Sequence, residues 1–116
     1  MADVASAKKL LEDFEAAFAS GDTAKLRSLF TLDATAVNTG KGEWHGAEID
    51  GLLAGFMQQS KKIKFNIEKV DSTPDFELVI KGDFTLDDGS DKYPYIFHCK
   101  KQGDGSYLIV KDEFQF

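Results

Sequence analysis

FEAAFASGDTAKLRSLFTLDATAVNTGKG, residues Phe14–Gly42, is the stretch that decides the fold. Phe14 and Phe18 continue an apolar stripe that begins with Val4, Ala7 and Leu11 at steps of three and four, which predicts a helix from Asp3 to Ser20. Gly21 stops it, because glycine enters the left-handed cap at little cost. Asp22 then offers an N-cap to a second helix whose buried side is Leu26, Leu29 and Phe30. The segment that follows reads as a strand running into a hairpin punctuated by Gly40 and Gly42.

Outward from this stretch, Ile49, Leu52, Leu53 and Phe56 stand at helical spacing and predict a third helix over Ala47 to Gln59. Its Gly51 and Gly55 each cost about 1 kcal/mol relative to alanine, so close approach of a neighbouring element is expected there. From Lys62 onward the period changes to two. Ile63, Phe65 and Ile67 alternate with charged residues, and Phe76, Leu78, Ile80, Gly82 and Phe84 do the same. Asp87-Asp88-Gly89-Ser90 and Gly103-Asp104-Gly105-Ser106 are turns that lead into strands Lys92 to Lys101 and Tyr107 to Phe116. The order implies a single α+β domain over residues 1–116, with three N-terminal helices on the concave face of a curved antiparallel sheet.

Composition narrows the function. The net charge is −6 and Arg27 is the only arginine, which disfavours nucleic acid as a partner. Lys61, Lys62 and Lys64 read as a solvated strand entry. No run of apolar residues is long enough to span a membrane and no export segment is visible, so a cytoplasmic location is expected. Cys99 has no partner for a disulfide, and with only His45 and His98 beside it no metal site is expected. Asp83, Asp87, Asp88 and Asp91 lack the spacing of a calcium loop. No glycine-rich phosphate loop or nucleophile elbow is present, and no cofactor is expected.

Phe18-Ala19-Ser20-Gly21-Asp22 followed by Leu29-Phe30-Thr31-Leu32-Asp33-Ala34-Thr35 resembles the pattern of the NTF2-like superfamily, the cystatin-like cone fold that includes SnoaL-like cyclases, ketosteroid isomerases and nuclear transport factor 2. The resemblance covers essentially the whole chain and implies a fold more than an activity. Laid on the isomerase branch, it places the catalytic tyrosine at Phe14, the base at Asn38 and the acid at Phe97. None of the three carries the group that steroid isomerisation needs. The resemblance therefore implies a cavity made more apolar, with Phe14, Phe18, Asn38, Trp44, Phe56, Tyr95, Phe97 and Phe114 as candidates to line it and hold a small apolar molecule.

One polar residue stands out. Registration of the last strand puts Val110, Asp112 and Phe114 toward the helices, and a carboxylate among aromatic rings has a raised pKa suited to general acid or base work. Asp112 is thus the candidate catalytic residue, with Asn38 or Tyr95 as an oriented donor; the alternative is a carboxylate satisfied by a lysine, Trp44, Tyr95 or Asn38. His98 falls on the opposite face, which the resemblance identifies as a dimer interface. Pro94, Ile96 and His98 make that face apolar for a sheet exposed to water. His45, at the entry to the third helix, is expected to be exposed or to help cap it. Three readings follow: a noncatalytic homodimeric binding or association module; a small lyase, isomerase or cyclase using Asp112; and, because Asp112-x-Phe114 is similar to the last strand of nuclear transport factor 2, an adaptor that binds a partner protein.

Overall fold

The computed structural model describes residues 3–116. Helix α1 spans Val4–Ser20, α2 Thr23–Arg27 and α3 Glu48–Gln59; the strands are β1 Phe30–Asn38, β2 Gly42–His45, β3 Ile63–Asp71, β4 Leu78–Leu86, β5 Tyr93–Lys101 and β6 Tyr107–Phe114. Asp3 caps α1 by accepting from the Ser6 N–H, and Gly21 closes it at φ 75°, where only glycine is unstrained. Asp22 caps α2 through the Lys25 N–H. That helix is one short turn, so Phe30 already belongs to β1 and only Leu26 of the expected trio is buried on the helix itself.

The six strands form one sheet in the order β2-β1-β6-β5-β4-β3. β1 runs parallel to β6 and every other pairing is antiparallel, so the sheet is mixed rather than antiparallel throughout. The cause is topological. α3 carries the chain from β2 at one edge to β3 at the other, and the meander β3-β4-β5-β6 then arrives beside β1 in the same direction. The third helix follows the β1–β2 hairpin, in the order that the sequence pattern implies.

Register shifts bend the sheet. Glu68 is an extra residue in β3 between the pairs Ile67–Gly82 and Lys69–Lys81, and Val110 is extra in β6 between Ile109–Cys99 and Lys111–His98. The second bulge corrects the inward face of β6: Ile109, not Val110, is fully buried, whereas Asp112 and Phe114 point inward as expected. The glycine that permits close approach is likewise elsewhere. A Cβ on Gly51 or Gly55 would meet nothing within 4 Å, but a Cβ on Gly82 would overlap the Asn66 carbonyl oxygen at the β3 bulge.

The helices cover the inward face. Glu15 of α1 accepts a 2.8 Å hydrogen bond from the Phe65 N–H on β3, fixing the helix to the sheet edge. Arg27 holds the other end. Its guanidinium pairs with Asp50 at 3.1 Å and donates to the carbonyls of Thr31, Leu32 and Gly46, joining α2, β1 and the start of α3. Gly82→Ala should cost about 3 kcal/mol in a urea unfolding experiment, because the obstacle is backbone and cannot rotate away; a loss under about 0.5 kcal/mol would mean that β3 does not bulge over this position.

Candidate functional site

Cross-strand pairing puts Trp44, Ala36, Asp112, Phe97, Ile80 and Val70 in one row across all six strands. Asp112 thus sits mid-sheet, between a small alanine and a phenylalanine, under the helices. Phe14 of α1 stacks on Phe97 with ring centroids 5.6 Å apart, and Phe65 makes edge contacts with Phe14 at 5.0 Å, Tyr95 at 5.1 Å and Phe97 at 5.5 Å. These rings enclose a cavity walled by Phe14, Phe18, Leu52, Leu53, Phe56, Ile63, Phe65, Phe84, Tyr95, Phe97, Asp112 and Phe114. Its volume of about 40 Å³ has room for a few water molecules.

Six of the eight residues expected to line the pocket lie on this wall; Asn38 and Trp44 do not. Asn38 is buried on the same face, but its side-chain oxygen accepts from the Phe116 N–H at 3.1 Å and so serves the segment after β6. Trp44 packs against the core, with its ring over Gly42. Phe65, the hub of the aromatic cluster, was legible as an inward position of an alternating strand, but nothing in its own strand says which rings it meets. Leu52, Leu53, Ile63 and Phe84 also join the wall from positions that periodicity marks only as buried.

Asp112 is 7% exposed, and its Oδ1 has no hydrogen-bond partner among the described residues. The donors that could have satisfied it are engaged elsewhere: the Tyr95 hydroxyl donates to the Asn66 carbonyl at 3.1 Å and Asn38 is bonded to Phe116. Neither is placed as the oriented donor expected from sequence. Burial in this apolar wall, with the Glu113 charge next along the strand, pushes the Asp112 pKa up to about 8. Burial also raises the Tyr95 hydroxyl, with Asp83 and Glu15 adding to it, and raises the Cys99 thiol, with Asp112 adding to that. Cys99 is buried and faces the core.

The outer face carries the other titratable cluster. His98 Nε2 lies 2.7 Å from Glu113 Oε2, and Lys111 reaches the same carboxylate at 3.7 Å. Burial of Glu113 opposes its ionisation, but the His98 hydrogen bond and the Lys111 charge outweigh it and hold the carboxyl below its usual value. His45 is exposed; its N–H donates to Glu48 at the start of α3, and its ring meets Thr35 Oγ1 at 3.2 Å. Asp87 accepts from the Lys61 and Lys62 N–H groups and Asp88 pairs with Lys62, so the acidic turn and the lysine cluster bind each other.

Because the Asp112 pKa is raised in the folded state, the native protein holds a proton that the unfolded chain releases between about pH 4 and pH 8. Its contribution to stability is full below pH 4 and falls as pH rises, by at most about 1.4 kcal/mol per unit, until the folded carboxyl ionises. Carboxyl carbon NMR should therefore show one aspartate titrating near pH 8, and Asp112→Asn should flatten the decline in stability between pH 5 and pH 8 by about that slope. An Asp112 resonance that titrates near pH 4 would refute the assignment.

Comparison with known proteins fits this geometry. No curated protein sequence matches the chain. Among solved structures, a protein from Xanthomonas campestris provisionally assigned as a calcium/calmodulin-dependent protein kinase II association domain is 23% identical, covers 94% of this chain and 84% of its own, and has a TM-score of 0.76. An NTF2-like protein of unknown function from Shewanella oneidensis is 19% identical over 96% of this chain and 97% of its own, with a TM-score of 0.75. Nuclear transport factor 2 from Cryptosporidium parvum is 20% identical over 93% and 89%, with a TM-score of 0.61. At these identities the likeness is one of fold. The description "SnoaL-like domain" matches residues 7–86, from α1 through β4, which stops short of Phe97 and Asp112. With that match over more than half its length, and with the mixed six-stranded cone to go with it, the chain belongs to the SnoaL-like family of the NTF2-like fold.

Proposed function

We propose that the protein is a noncatalytic binding module that takes a small, uncharged, apolar molecule into the Asp112 cavity. The observation that carries this reading is the loneliness of the carboxyl. Every other wall residue is apolar except Tyr95, whose hydroxyl is committed to Asn66, so among the described residues no second proton-handling group faces Asp112. Proton-transfer catalysis on carbon ordinarily divides an acid and a base between two positioned groups, and this cavity offers one. A carboxyl that keeps its proton at neutral pH is instead a hydrogen-bond donor suited to a ligand acceptor such as a carbonyl oxygen. The cavity at about 40 Å³ is well below the usual size of a ligand site, so binding requires side chains to move.

A second reading, a lyase or isomerase with Asp112 as general acid, draws on the same carboxyl, since a pKa near 8 suits proton donation at neutral pH. The adaptor reading draws less. Asp112 and Phe114, the pair similar to nuclear transport factor 2, are both buried and present nothing to a partner protein. Homodimerisation is proposed through the outer sheet face. There Val37, Val79 and Ile96 pair around the His98–Glu113–Lys111 cluster and are only half exposed. Large, strongly exposed apolar residues among those described are Val4 and Leu32 alone, so the proposed interface mixes apolar and ionic contacts.

Organic extraction of the purified protein, with mass spectrometry, should recover a neutral apolar compound bearing one acceptor, and Asp112→Leu should retain at least tenfold less of it. Recovery of a chemically altered compound from wild type but not from Asp112→Asn would favour the enzyme. An empty wild-type protein that also ignores a library of apolar ketones would defeat both. Light scattering should give a dimer at micromolar concentration that Ile96→Lys converts to monomer; a wild-type monomer would remove the interface.

A further inference from the structure

The two free edges of the sheet are unequal. β2 is four residues long, whereas β3 runs for nine, Ile63–Asp71, and among the described residues has β4 as its one strand neighbour. An edge of that length is open to pairing with another strand unless something blocks it. Here the block is a side chain from another element. The Phe65 N–H stands outside the ladder with β4 and is taken by Glu15 Oε2 of α1 at 2.8 Å.

Phe65 also shows which other backbone groups line the edge. Along one strand of L-residues, those with side chains on the same face of the sheet carry their N–H and C=O toward the same side. Phe65, Ile67 and Val70 all pack against the core, with Glu68 as the extra residue between the last two, so their backbone groups form the edge-facing row. Lys64, Asn66, Lys69 and Asp71 are exposed on the outer face. Lys69 meets Asp71 at 3.3 Å, and Asn66 donates to Asp83 at 2.9 Å.

We propose that the β3 edge is an interface for a second copy of this chain, paired antiparallel about a two-fold axis with Phe65 opposite the partner's Val70, and that the Glu15 carboxylate is a latch competing for the Phe65 N–H that this pairing uses. The register follows from side-chain face and charge. The bulge offsets the two halves of β3, so an inward residue before Glu68 meets an inward residue after it; Phe65 and Val70 become apolar neighbours and reciprocal backbone partners. The same register sets Lys64 opposite the partner's Asp71, and symmetry makes that ion pair twice. Sliding the copies by two residues one way sets Lys64 against the partner's Lys69, a like-charge pair. Sliding them the other way puts Phe65 opposite Ser72, beyond the end of the strand. The edge is thus complementary to itself, which is what selects a second copy as its occupant.

Sedimentation velocity of wild type, Glu15→Ala and Glu15→Asp over a concentration series tests the latch; the aspartate keeps the charge on α1 but is one methylene too short to reach the edge. Both variants should double the mass of the wild-type species, with association at least tenfold tighter, because pairing no longer displaces two charge-assisted hydrogen bonds. Adding Lys64→Asp to either should abolish the gain, and adding Lys64→Asp together with Asp71→Lys should restore it. The gain should survive Ile96→Lys, which separates the edge from the outer sheet face. Wild-type mass in a Glu15 variant whose circular dichroism is native overturns the proposal, as does association that is indifferent to the exchange of Lys64 and Asp71 or is lost with Ile96→Lys. If Glu15→Ala does not fold, Glu15→Asp carries the same test.

Discussion

The parallel pairing of β1 with β6 is the constraint on which the rest of the structure depends. It joins the first strand of the chain to the last, and the hydrogen bonds at its two ends, Ile109 N–H to the Leu29 carbonyl and Thr39 N–H to the Phe114 carbonyl, are each 2.8 Å. Between them β1 spends four residues, Thr31 to Ala34, opposite the single bulge residue Val110 of β6. A bulge that wide leaves carbonyls without ladder partners, and Arg27 supplies the donors for Thr31 and Leu32. It also thrusts Leu32 into solvent, 91% exposed. Once past the bulge the strands re-register, and that re-registration turns Asp112 inward opposite Ala36.

An aspartate so placed is a poor choice for stability alone. Its Oδ1 has no partner among the described residues, and an isosteric apolar side chain would remove both the desolvation cost and the orphaned oxygen. The folded protein lowers that cost by keeping the carboxyl protonated, which ties part of its stability to pH. Local rules broken without a compensating contact are found at sites kept for function. By contrast, the acidic turn at Asp87 and Asp88 and the outer-face Glu113 have partners and need no such account.

What the sequence made legible was local. Gly21 at the helix end, Asp22 as a cap, and the alternation that sends Phe97 and Cys99 inward and His98 outward are each decided within a few residues of chain, and the structure has them so. What it concealed was long-range. The direction of β6 relative to β1, the Val110 bulge and the approach of Asn66 to Gly82 depend on segments about ten or more residues apart, and no propensity of Val110 or Gly82 announces them. Arg27 was readable as the sole arginine but not as the clamp on the β1 bulge. Asn38 was assigned to the pocket because the resemblance to the isomerase branch puts the base position there; its amide is drawn to Phe116, whose position is itself a tertiary outcome.

The aromatic rings explain why the cavity is small. Phe14 and Phe97 stack on each other, and Phe65 wedges its ring against both, so the rings fill the space between α1 and the sheet. The rings at the rim of the cavity are more exposed than the rings at its centre. Phe97 is almost wholly buried, while Phe56 and Phe116 are half exposed. The apparent affinity for any guest is its intrinsic affinity reduced by the fraction of molecules with the rim open. On the binding reading proposed above, a guest must offer an acceptor to the one carboxyl of the wall and make up for the ring contacts it displaces.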